Sequence, residues 1–122
     1  KTKIGQVRTF EGMGGLGKTQ LAVEYAHQYQ DSYEGVIWLT IDQDVDEQII
    51  ELAEKRLWVN EGLEAKLKLQ IGKNKLFELS DTLFIFDNVD NKNEIDDYCD
   101  KLSNNKIIIT SRNPIQGFKP KE

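Results

Sequence analysis

Gly12-Met13-Gly14-Gly15-Leu16-Gly17-Lys18-Thr19 is the stretch on which the reading of the whole chain turns. It fits a phosphate-binding loop: a glycine, four free positions, then Gly-Lys-Thr. Val7 to Phe10 in front has the makeup of a strand, and Leu21 to Tyr29 behind that of a helix. Gly12, Gly14, Gly15 and Gly17 let the backbone take positive φ and come close to a ligand, so that successive N–H groups converge on one anion. A helix starting near Gly17 adds its unpaired N-terminal donors and the positive end of its dipole. Lys18 then reaches the outer phosphates, and the Thr19 hydroxyl is an oxygen ligand for magnesium. The competing reading is a chance glycine-rich turn, and the strand and helix on either side argue against it.

Outward from the loop, the first strand spans about Ile4 to Phe10. Gln6 and Arg8 make it polar for a strand covered on both faces, which puts it at a sheet edge. The first helix, about Lys18 to Gln30, places Leu21, Ala22, Tyr25, Ala26 and Tyr29 on one stripe. His27 falls off that stripe and reads as a surface residue. Asp31 to Gly35 is a turn, and Val36 to Ile41 an apolar run of strand length. Asp42 to Asp46 then breaks the chain; an aspartate here caps the next helix, and the segment lacks the glycine and terminal glutamate of a calcium loop. Ile49, Ile50, Leu52, Ala53 and Leu57 give a helix to about Leu57. Trp58 to Gly62 is a break. Leu63, Leu67 and Ile71, with Leu76 and Leu79 beyond Gly72, predict one bent helix or two short ones.

Leu83-Phe84-Ile85-Phe86 is a run of four large apolar residues followed at once by Asp87. A strand so composed is buried on both faces, and ligands of open α/β sheets sit at strand C-termini. Asp87 is therefore placed to hold magnesium, directly or through water, opposite Thr19; the plainer alternative is a turn aspartate. Ile95, Tyr98, Cys99 and Leu102 predict a short amphipathic helix with Cys99 on its apolar side. After a turn at Ser103 to Asn105, Lys106 to Arg112 is another buried strand. Arg112 at its end either faces the same crevice or is an ordinary surface residue. Residues 113–122 read as a tail, leaving a core of 4–112 in a single domain of 1–122. Strands alternate with helices four times, so the expected fold is α/β, a parallel sheet with helices on both faces.

The 122 residues suffice to bury about two thirds of the unfolded surface, and 39 per cent are hydrophobic and 30 per cent charged. No apolar run approaches the roughly 20 residues of a membrane span. The formal charge of −5 disfavours wholesale binding to a nucleic-acid backbone, so any phosphate site is local. One cysteine and no visible signal peptide point to a reducing, cytoplasmic setting. The first residue is Lys1 rather than methionine, which suggests a processed or excised piece.

GMGGLGKTQLAVEYA, VIWLTID, LFIFDNVD and KIIITSR, in that order, resemble the nucleotide-binding core of the NB-ARC family within the STAND class of P-loop NTPases, most closely members with tetratricopeptide arrays. The resemblance spans about Gly12 to Arg112. It implies binding of ATP or ADP with Mg2+, with Gly12, Gly14, Gly15, Leu16, Gly17, Lys18, Thr19 and Gln20 at the nucleotide. It also implies Thr19 and Asp87 at the metal, Lys18, Asp87 and Arg112 in catalysis, Asp87 as the Walker B acid and Arg112 as the first sensor. The implied sheet has four strands in the order 1-4-3-2, and the chain ends before the family's fifth strand and winged-helix region. The open edge of strand 1 is then available for self-association.

Where many relatives carry a second acid after the Walker B aspartate, this chain has Asn88, which can hydrogen-bond a water but cannot take its proton. Asp90, two places on, is the nearest substitute. The expected function is a slow, Mg-dependent ATPase acting as a signalling switch core. The alternative is a non-hydrolysing scaffold or oligomerisation module with vestigial phosphate binding; a small-molecule kinase would need an acceptor site that no residue here suggests.

Overall fold

In the computed structural model, Thr82–Asp87 is buried at every residue, alone among the strands whose side chains are described, and the rest of the described residues are laid down around it. The structure describes residues 6–10 and 15–111, with side chains from residue 19 onward. The elements in chain order are β1 (Gln6–Phe10), α1 (Gly15–Tyr29), β2 (Gly35–Thr40), α2 (Val45–Lys55), α3 (Ala65–Phe77), β3 (Thr82–Asp87), α4 (Asp96–Lys101) and β4 (Lys106–Thr110). β3 runs parallel to β2 on one side, Gly35 opposite Thr82 through Thr40 opposite Asp87. On its other side it runs parallel to β4, Leu83 opposite Lys106 through Phe86 opposite Ile109. β1 lies parallel along the far side of β4, so β1 and β2 are the outer strands of this sheet.

Alternation along the strands separates two cores. Leu83, Ile85 and Ile108 face Ala22 of α1, with Tyr25, Ala26, Val36 and Trp38 packed around them. Ile37, Leu39, Phe84, Phe86, Ile107 and Ile109 face the other way, onto Ile49 of α2, Leu76 of α3, and Ile95 and Leu102 flanking α4. One helix thus covers one face and three cover the other. Each fully buried Leu, Ile or Phe contributes about 2 kcal/mol by removing apolar surface from water.

α2 opens as expected of an aspartate cap: the Asp44 carboxylate accepts the Glu47 N–H at 3.1 Å. It closes earlier than the apolar stripe suggested, at Lys55, and Leu57 stands exposed in the turn beyond. The segment expected to be bent or divided at Gly72 is one continuous helix, α3. Gly72 is buried where α2 crosses, and a Cβ there would meet Ile49 Cγ2 at 3.0 Å and Ala53 Cβ at 3.4 Å. It therefore permits close helix contact rather than breaking the helix. The same crossing holds the buried ammonium of Lys68 against Glu54. No helix among the described residues is long and apolar enough to cross a membrane.

Candidate functional site

α1 begins at Gly15, two residues sooner than the glycines suggested, so that Gly15, Leu16, Gly17 and Lys18 form its first turn, where backbone N–H groups have no helical acceptor. Gly12 and Gly14 lie outside the described residues, and only the backbone of Gly15 to Lys18 is described. Thr19 is half-buried and Gln20 exposed. Helical geometry from that turn carries Thr19 to the C-terminal end of β3. There its hydroxyl donates to Asp87 Oδ1 at 3.0 Å, across 68 residues of sequence.

Asp87 is 5 % exposed at the last position of the central strand. Its Oδ1 takes a second hydroxyl, that of Thr110, the last residue of β4. The backbone holds it as well: its carbonyl accepts the Ile41 N–H at 2.8 Å. The chain then turns sharply, Asn88 adopting a left-handed φ of 63°. The Asn88 N–H donates to Thr110 Oγ1 at 3.0 Å, and the Val89 N–H to the Thr110 carbonyl at 2.9 Å. Asp90 is exposed beyond this turn, its N–H bonded to Glu94 Oε1 at 2.8 Å, where Asn91 and Glu94 form a reciprocal cap.

The two residues expected at a metal are therefore in direct contact. A hydroxyl and a carboxylate oxygen 3.0 Å apart are spaced like neighbouring ligands of magnesium, whose octahedron of oxygens at 2.0–2.1 Å has edges of about 2.9 Å. Among the described residues no group of three or more His, Cys, Asp or Glu could hold a metal alone. A cation here would draw its remaining ligands from phosphate and water, which is how magnesium is usually bound beside nucleotides.

Arg112 lies outside the described residues. His27 is exposed on α1, as its place off the stripe implied. Cys99 is half-buried against the three-helix face; burial, with Asp96 and Asp100 nearby, pushes its thiol up to about 11 against the opposing pull of Lys92. Thr110 was not singled out from the sequence. The available signal was a hydroxyl residue closing a buried strand two places before Arg112.

A family model described as the NB-ARC domain matches residues 1–115. Comparison with proteins of curated function gives no match. The matched span takes in the phosphate loop, the parallel sheet and the Thr19–Asp87 contact. The chain belongs to the NB-ARC family, the nucleotide-binding signalling modules of the STAND class of P-loop proteins.

Proposed function

We propose that the chain binds ADP or ATP with magnesium through residues 12–20 and Asp87, hydrolyses ATP slowly, and serves as the core of a signalling switch. The hydrogen bond from Thr19 to Asp87 is the observation that carries this reading. It joins the first helix after the glycine-rich loop to the acid at the tip of the central strand. Phosphoryl transfer demands positioning and charge neutralisation above all, and bound magnesium supplies the latter at the phosphates. Lys18 neutralises and orients the outer phosphates, the Thr19 hydroxyl and Asp87 hold the cation side, and Arg112, two positions after Thr110 in the sequence, reads the terminal phosphate. The four-strand order β1-β4-β3-β2, with an open outer edge on β1 through which copies can associate, belongs to the same reading.

Isothermal titration calorimetry tests it. Lys18→Ala should weaken ADP and ATP binding by about a hundredfold, the worth of a charged contact of ~3 kcal/mol. An unchanged affinity contradicts the proposal.

One feature favours a second reading, a module that binds nucleotide without hydrolysing it. Asn88 occupies the position after Asp87, and an amide cannot accept a proton from water. Single-turnover phosphate release above the buffer rate, lost in Asp87→Ala, decides for hydrolysis.

A further inference from the structure

Oδ1 of Asp87 collects two hydroxyl donors, and only Thr19 belongs to the phosphate loop. The other, Thr110, is 1 % exposed and ends the neighbouring strand. A hydroxyl has one proton to give and lone pairs to receive with. Thr110 uses both, donating to Asp87 and accepting the Asn88 N–H at 3.0 Å. Its carbonyl accepts the Val89 N–H at 2.9 Å. One residue of β4 is thus tied to three consecutive residues leaving β3.

Two consequences follow. The terminal torsion of an aspartate is soft and roughly two-fold; two donors on one oxygen fix the carboxylate plane and so set where the other oxygen points. In addition, Asn88 takes a left-handed φ of 63°, which asparagine adopts more readily than most residues, and Thr110 accepts the N–H groups of Asn88 and Val89 on either side of that turn.

We infer that Thr110 is a positioning residue for magnesium-dependent nucleotide binding, its hydroxyl locking the Asp87 carboxylate and the Asn88 turn in one orientation. This rests on the proposal that Asp87 serves the cation. A partner behind a metal-holding group orients it, and losing such a partner typically weakens metal affinity by about 10- to 100-fold. A purely structural hydroxyl would alter stability and leave the magnesium requirement alone.

The test is a magnesium titration of ADP binding, read by calorimetry in the whole chain, with EDTA as the metal-free reference. Thr110→Val keeps the side-chain shape and removes the hydroxyl. It should raise the magnesium concentration needed for half-maximal enhancement of ADP affinity by about tenfold or more, with affinity in EDTA within about twofold of the parent and Thr110→Ser restoring the parent curve. A Thr110→Val curve that overlays the parent's overturns the inference while leaving nucleotide binding intact. If the parent binds no ADP, the nucleotide reading itself is wrong and this inference falls with it. Should Thr110→Val not fold, the parent decides by NMR: adding magnesium to the ADP complex must shift the Asn88 amide and the Thr110 methyl. Silence at both overturns the inference.

Discussion

At the scale of single residues, Cys99 and Thr110 show how burial changes what a polar atom does. The Cys99 thiol is pushed up to about 11, chiefly because burial penalises the thiolate. Unfolded, the same group ionises from about 8.5. Between those values the unfolded chain holds fewer protons than the folded one, so stability falls as pH rises from about 8.5 towards 11. At pH 8 about one folded thiol in a thousand is ionised, against roughly a quarter of unfolded ones. Alkylation by iodoacetamide at pH 8 should therefore run roughly two-hundredfold slower in buffer than in denaturing urea, and quicken about tenfold per pH unit above that. Equal rates in the two solvents would show an accessible, ordinary thiol. The apolar side of the helix pattern marked Cys99 for burial. Thr110 was marked only by its place at the end of a buried strand, a weak signal, because a hydroxyl there looks the same whether it meets water or a carboxylate.

The elements themselves were legible wherever an apolar run or stripe settled the matter, as in Leu83 to Phe86 and in the α1 stripe, although only its middle, Ala22, Tyr25 and Ala26, packs on the sheet, while Leu21 and Tyr29 are exposed. Their ends were not, and α2 illustrates why. Leu57 continues the apolar spacing, yet it lies beyond the helix at φ 62°, 86 % exposed. Its N–H donates to the Glu54 carbonyl at 3.1 Å, and the Trp58 N–H reaches back to the Ala53 carbonyl at 2.9 Å. This pair of bonds is a Schellman closure, whose left-handed position normally holds glycine. Sequence spacing cannot see a backbone torsion. A leucine there costs about 1 kcal/mol in conformation and packs little of its side chain. Leu57→Gly should therefore raise stability by about 1 kcal/mol, slightly less once the freer unfolded chain is counted. Urea unfolding would register this as a higher midpoint at unchanged slope, whereas a lower midpoint would mean that the leucine packs after all. Gly72 misled in the opposite sense, since its role depends on a second helix that local sequence does not announce.

Across the whole molecule, the alternation of strands and helices foretold a parallel sheet covered on both faces, though not the side chain that ties the start of β3 to its neighbours. Asn105 is 1 % exposed. Its Oδ1 accepts the Thr82 N–H at 2.9 Å, and its Nδ2 donates to the Leu79 carbonyl at 2.9 Å and to that of Leu102 at 3.4 Å. One amide therefore joins the exit of α3, the start of β3 and the exit of α4. In the sequence it was one polar residue among Ser103, Asn104 and Asn105, indistinguishable from its neighbours in a solvated turn. Asn105→Ala leaves the buried Thr82 N–H and the partly buried Leu79 carbonyl without this partner and should cost about 2 kcal/mol or more. Chemical denaturation measures it, and a loss below about 1 kcal/mol would mean that water replaces the amide.

The packing of α1 against β3 and β4 sets the order in which a ribosome can complete this molecule. Thr19 must wait for Asp87, 68 residues behind it, and Ala22 waits for Leu83, Ile85 and Ile108. At about 5–20 residues per second, several seconds pass with the glycine-rich turn already translated and its counterpart not yet made. For that interval Ala22, Tyr25 and Ala26 have no sheet to cover them, and the helix carries its apolar side bare until β4 emerges.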